Sequence, residues 1–180
     1  MTENLETERL RLRPFEMADL PDFAPIYGDE AVMAIRKIGV QTSSQTETEL
    51  AGIIQHWRDH GFGLWAVIHK ADNRLLGECG LRHSDYGQEI KISYGLSKQA
   101  WGKGFATEAA FAVLDDGFGV AGLEDIVAIA RACNHASHRV MQKLGMYLKK
   151  TWESDGVELV HYSVTREDYL RNQAARKTTT

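Results

Sequence analysis

A chain of 180 residues with 25 acidic and 21 basic side chains, net charge −4, and 43% hydrophobic residues is long enough for one domain with a buried core. The weak negative charge and the lack of any basic block speak against nucleic acid as the main partner. No apolar run approaches the ~18 residues of a membrane span, and Met1 to Glu8 is polar and acidic rather than signal-like, so a cytoplasmic protein with no membrane contact is expected. Cys79 and Cys133 each sit in an apolar stretch without CxxC spacing and read as buried, reduced thiols rather than a disulfide or metal ligands.

Arg9-Leu10-Arg11-Leu12-Arg13-Pro14 alternates strictly, a strand closed by its proline. Asp19 is placed to cap a helix with Pro21 early in it and Phe23, Ile26 and Tyr27 on one face. Gly28 to Ser44 reads as a loop. Thr46 to Glu49 then opens a helix carrying Leu50, Ile53, Ile54 and Trp57 at helical spacing, with Gly61 as its stop. Gly63 to His69 and Arg74 to Leu81 form a hairpin around Asp72-Asn73, and Glu89 to Leu96 is the third strand of this group. Phe105 to Phe118 reads as a helix burying Ala106, Ala109, Ala110, Val113 and Leu114, with Glu108 and Asp115 outside. Asp125 to Ala132 is a buried strand one helix after Glu89 to Leu96, which makes the two a parallel pair. A short helix opens at Asn134-His135-Ala136-Ser137 and ends at Leu144-Gly145. Met146 to Trp152 and Val157 to Val164 close the chain as a hairpin around Ser154-Asp155-Gly156. The expected organisation is one domain over residues 1–170, followed by a disordered tail, 171–180.

The stretch that carries chemistry is Gln99-Ala100-Trp101-Gly102-Lys103-Gly104-Phe105-Ala106-Thr107-Glu108, between a strand and a helix. Two glycines just before a helix let the backbone approach a ligand. The free N–H groups of the first turn then make a seat for a phosphate or pyrophosphate. Neither GxxxxGK[ST] nor a GxGxxG with its distant acidic partner is present, so the two commonest nucleotide loops do not apply.

Three segments together resemble the GNAT acyltransferase superfamily, and more narrowly its RimJ/RimL-like branch of ribosomal-protein N-terminal acetyltransferases. They are Glu8 to Pro14, Tyr94-Gly95-Leu96 through Ala109, and Asn134 to Ser137 running on to Lys143-Leu144-Gly145-Met146. The resemblance spans about residues 8 to 165. It implies an α/β (α+β) single domain: a mixed, mostly antiparallel sheet of six to seven strands, splayed at its central parallel pair, with helices on both faces. It also implies acetyl-CoA as co-substrate. The pantetheine arm would pair with the backbone of Tyr94, Gly95 and Leu96, as a peptide adds to a sheet edge. The pyrophosphate would lie on Gly102, Lys103, Gly104, Phe105, Ala106 and Thr107, with Gln99 beside them. Asn134 would bond the pantetheine arm or tie the strand end. A homodimer is compatible with the fold.

Transfer of an acyl group from a thioester to an amine needs a neutral amine and a proton for the leaving thiolate. At pH 7 an N-terminal α-amine costs about 1 kcal/mol to deprotonate, and a lysine amine about 4.6 kcal/mol. A protein N-terminus is therefore the less demanding acceptor. Relatives often carry a glutamate three residues before the strand tyrosine, and here that position is Lys91. Glu89 shares a strand face with Lys91 and Ser93, one pleat away. Glu153, near the end of the strand after the short helix, is the second candidate base, and Glu78 a third. The base stays open between them. Ser137 is expected to protonate the thiolate, or else to cap its helix.

Other groups carry less. His135 and His138 lack a third ligand, so no metal is expected. Trp57, Phe62 and Trp65 would wall an acceptor pocket or belong to the core. Asp29 or Glu30, within Tyr27 to Lys37, would attract an ammonium. The leading function is N-acetylation of a protein N-terminal amine. The alternatives are acetylation of a small amine (a polyamine, amino sugar or amino-acid-like metabolite) and non-catalytic acyl-CoA binding.

Overall fold

The computed structural model describes residues 1–178, with side chains described through residue 175. Its strands are β1 (Leu5–Glu6), β2 (Leu10–Pro14), β3 (Leu64–His69), β4 (Leu75–His83), β5 (Ile90–Leu96), β6 (Asp125–Arg131), β7 (Tyr147–Ser154) and β8 (Val157–Thr165). The helices are α1 (Leu20–Tyr27), α2 (Glu30–Met33), α3 (Ser43–His60), α4 (Phe105–Gly119), α5 (His135–Lys143) and α6 (Arg166–Thr178). One sheet runs β1-β2-β3-β4-β5-β6-β8-β7. It has eight strands where the sequence suggested six or seven. The additional one, β1, has two residues, too few for a period of two to show.

Every strand pair is antiparallel except β5 with β6. Beside full ladders between β4 and β5 and between β6 and β8, the parallel pair registers only at Lys91 with Val127. Beyond that point the two strands part.

Alternation along β4 and β5 sends Cys79, Leu81, Ile92 and Leu96 to one face, where they pack with Ala109, Ala110, Val113 and Leu114 of α4. On the other face Phe23, Ile26 and Tyr27 of α1 and Leu50 and Ile53 of α3 cover Leu64, Ala66 and Ile68 of β3. Trp57 and Trp65 stack edge to face at 4.9 Å, and the Trp57 indole donates to the Leu64 carbonyl at 2.8 Å. With Trp65 fully buried, this pair belongs to the core rather than to an acceptor wall.

Several local readings shift for identifiable reasons. Helix α3 begins at Ser43, because Thr42 and Gln45 close a reciprocal capping box. Asp19 makes no side-chain cap to α1. Its carboxylate is held by Arg13 at 2.8 and 2.6 Å and by the Glu16 amide at 2.9 Å. Gly28 to Ser44 contains α2, capped by the Asp29 side chain on the amides of Ala31 and Val32. Asp29 is thus a cap rather than an ammonium site. Cys79 is buried as expected, and burial pushes its thiol well up, but Cys133 is exposed. Glu108 is not an outward-facing residue of α4, since it accepts from Thr7 and Arg9. The expected disordered tail is helical as far as Thr178, since α6 is anchored by Tyr169, 1% exposed, against Phe118. Residues 179–180 lie outside the described chain.

Candidate active site

Where β5 and β6 separate, the edge of β5 past Lys91 has no strand neighbour on its β6 side. The loop that leaves β5 then enters α4 at Gly104, whose φ of 81° is left-handed and suits glycine. No side chain caps this helix, so the amides of Phe105, Ala106 and Thr107 keep no intrahelical acceptor. A 15-residue helix with a bare N-terminus beside an unpaired strand edge fits a pyrophosphate joined to an amide-bearing arm. The chain therefore has the two features that a bound acyl-CoA would need.

The expected cofactor contacts lie in this region but are not equivalent. Gly102 and Lys103 are exposed in the loop, and Ala106 and Thr107 are half-buried in the first turn of α4. The Phe105 ring is core, 6% exposed, and only its amide faces the bare helix end. Gln99 accepts from Arg74 at 3.3 Å. The Leu96 carbonyl accepts from the Trp101 indole at 2.8 Å, so Tyr94 and Gly95 have the freer backbone. One neighbour was not singled out from sequence. The Arg9 guanidinium lies over the Phe105 ring at 4.5 Å, donates to the Lys103 carbonyl at 3.0 Å and pairs with Glu108 at 2.6 Å. It braces the loop against the first turn of α4. A cavity of about 440 Å³ adjoins the loop, with Arg74, Gln99, Lys103 and Phe105 in its lining.

On the α4 side of the split, the Tyr94 hydroxyl meets the Ser137 Oγ at 2.7 Å. The Asn134 side chain performs the cap of α5, accepting from the Ser137 amide at 3.1 Å. The Ser137 hydroxyl is therefore not the cap and pairs with Tyr94 instead. Asn134 is correspondingly committed to the helix end through its side-chain oxygen. Burial pushes the Tyr94 phenol well up, so it stays protonated and able to donate to Ser137.

The opposite face carries the carboxylates. Glu78 is fully buried on β4, opposite Gly95 of β5, and pairs with Arg36 from the segment after α2. Burial opposes the Arg36 charge, but Glu78 outweighs it and holds the guanidinium above its ordinary range. Arg36 also donates to the Tyr27 hydroxyl at 3.1 Å. A Cβ on Gly95 would lie 1.8 Å from the Arg36 Nη2. Gly95 is thus needed for the space it leaves as well as for its backbone. Lys91 turns to Asp85 at 2.5 Å. Glu89 reaches across the sheet to His161 of β8, with Nε2 at 3.2 and 3.3 Å from its two oxygens.

Glu153, by contrast, is not brought to the split. It sits exposed at the turn end of β7, opposite Glu158, on the outermost strand. His161 and Arg36 escaped the sequence reading. The signal was present in each case, as a polar residue set into an apolar run (Leu159-Val160-His161-Tyr162 and Val32-Met33-Ala34-Ile35-Arg36).

Residues 9–147 match the acetyltransferase (GNAT) domain family. The uncharacterised protein YkkB of Bacillus subtilis (strain 168) is 32% identical over 150 residues, covering 82% of this chain and 87% of YkkB. The FsC-acetyl coenzyme A-N(2)-transacetylase of Aspergillus fumigatus is 32% identical over 129 residues, covering 63% of this chain and 54% of that enzyme. The crystal structure of a GNAT-family acetyltransferase from Bacillus anthracis superposes with a TM-score of 0.82 at 25% identity, covering 91% of this chain and 99% of that one. With its splayed parallel pair, its bare helix N-terminus and these relatives, the chain belongs to the GNAT acetyltransferase family and is an acetyl-CoA-dependent N-acetyltransferase.

Proposed function

We propose that this enzyme acetylates the N-terminal α-amino group of a protein, in the manner of the RimJ/RimL-like branch, with Glu89 as base and Ser137 as acid. The observation that carries the assignment of roles is their placement. Ser137 lies on the α4 face beside the split, and Glu89 on the opposite face, two residues before the Lys91–Val127 pair beyond which the strands part. The amine bonds to the acyl carbon as the C–S bond breaks, and the two groups lie in different directions from that carbon. A base on one side can then take the amine's proton while an acid on the other gives one to the thiolate. Acetyl-CoA supplies the acetyl thioester when bound. Gly102 to Thr107 would hold its pyrophosphate, and the backbone of Tyr94 and Gly95 its pantetheine arm. Glu89, 45% exposed at its side chain, would take the ammonium proton directly or through a water. The Ser137 hydroxyl, hydrogen-bonded to the Tyr94 hydroxyl, would be held where its hydrogen can pass to the sulfur.

The charges on the acceptor face favour an amine that asks little of its base. Glu78 is tied to Arg36, Asp85 to Lys91 and Asp29 to the amides of α2, so these three carboxylates are not open to a polyamine. Ile35, Ile38 and Val40 are 41%, 47% and 50% exposed along the segment over this face, an apolar rim suited to a peptide. A second reading, a small-molecule amine, is favoured by the similarity to the Aspergillus transacetylase.

Thiol release from acetyl-CoA, measured across peptides with free N-termini and across small amines, separates these readings. Turnover on peptides beginning with alanine or serine is expected. Turnover confined to small amines would replace the acceptor. Tight CoA binding without any turnover would leave only an acyl-CoA-binding module.

Within that assay, Ser137→Ala is expected to lower kcat by about 100-fold, the scale of one general acid, with CoA affinity near wild type. An unchanged kcat would remove Ser137 from the chemistry. Glu153→Gln is expected to leave both kcat and KM unchanged, because its carboxylate is solvated at the sheet edge. A loss comparable to that of Glu89→Gln would overturn the choice of base.

A further inference from the structure

The geometry points to His161 as the positioning residue that makes Glu89 the base. The inference rests on the acetyl-transfer reading above and adds a residue to it. His161 is 5% exposed and so does not meet an acceptor amine itself, whereas Glu89 is open to solvent. The imidazole Nε2 stands between both oxygens of Glu89 at 3.2 and 3.3 Å, and a ring nitrogen facing a carboxylate is the one that carries hydrogen. The other nitrogen, Nδ1, is buried with no hydrogen-bond partner. Hydrogen on Nδ1 would be a buried donor with nothing to donate to, a costly arrangement. The ring hydrogen on Nε2 is therefore directed at Glu89 and orients its carboxylate.

The need for such a holder follows from Lys91. It shares a strand face with Glu89, one pleat nearer the split, and its ammonium would attract that carboxylate. Two devices prevent this. Asp85 takes up the Lys91 ammonium at 2.5 Å, and His161 anchors Glu89 from the β8 side. Trp152, with its ring centroid 6.4 Å from the imidazole, packs beside His161 and helps to close it off from water. An exposed glutamate on a flexible side chain loses much of its effect if its carboxylate wanders by an ångström, so the anchor matters for rate rather than for binding.

The test is a set of kinetic variants with a direct readout of the ring. Replacing His161 by Leu removes the donor. His161→Gln places an amide hydrogen near the position of Nε2, and His161→Asn is too short to reach Glu89. Leu and Asn are expected to lower kcat by about 10- to 100-fold with KM for acetyl-CoA unchanged, and Gln to recover most of that loss. In a Glu89→Gln background, His161→Leu is expected to cause no further loss. Equal damage from Gln, Asn and Leu would overturn the proposal, as would an undiminished effect of Leu in the Glu89→Gln background. The nitrogen-15 spectrum of the wild-type ring is read independently of turnover. Hydrogen on Nε2 is expected, and a ring with its hydrogen on Nδ1 alone would overturn the assignment. If no amine is acetylated, the acceptor reading fails by itself, and the spectrum still decides whether His161 holds Glu89.

Discussion

Replacing Arg36 with alanine is expected to destabilise the protein by about 3–5 kcal/mol, the usual consequence of leaving one member of a buried ion pair alone. Glu78 is fully buried, one of its oxygens already lacks a partner, and the other depends on Arg36. For a domain of this size the loss corresponds to a fall in melting temperature of roughly 6–20 °C. Changing both residues to methionine should restore at least half of the lost stability, because apolar side chains of similar volume need no partner. Thermal and urea unfolding of the single and double variants measure both effects. A single variant that melts with the wild type would mean that Glu78 is not a buried anion in solution. The pair also pins the segment carrying Ile35, Ile38 and Val40 over the acceptor face. In the folded fraction, KM for the acceptor is therefore expected to rise more than KM for acetyl-CoA.

Gly104→Val is expected to weaken CoA binding by well over tenfold, measured by calorimetric titration. The cause is conformational rather than steric. A Cβ at Gly104 would meet only the Arg9 Nη2, at an ordinary 3.5 Å, but a φ of 81° is strained for any side chain and most of all for a β-branched one. Relief of that strain turns the peptide out of the left-handed region and re-aims the amides at the start of α4. Gly104→Ala should fall between wild type and the valine variant. Wild-type affinity in Gly104→Val would remove the pyrophosphate from this helix end.

The fold was legible in the sequence wherever a single element reports on itself. Strict alternation in Leu10–Pro14, the Asp155-Gly156 turn and the apolar face of α4 are local patterns, and each element lies within a few residues of its expected place. The glycine loop was legible for the same reason, since a left-handed residue at a helix start is a local demand. The starts of α3 and β1 were not, because they depend on a capping pair and on a two-residue pairing too short to leave a period.

The candidate site residues divide along the same line. The sequence by itself determined the family and singled out the glycine loop, Ser137 and Asn134 as candidates, because these belong to contiguous motifs. Only the tertiary structure showed that Glu78 pairs with Arg36, that Glu89 meets His161, that Glu153 lies on the outermost strand, and that the Ser137 hydroxyl meets Tyr94. The groups concerned meet partners 42 to 72 residues away along the chain: Arg36 for Glu78, Tyr94 for Ser137 and His161 for Glu89. A side chain's protonation and direction are set by the groups that face it in space. Sequence order carries no record of that contact until the sheet has brought the strands together.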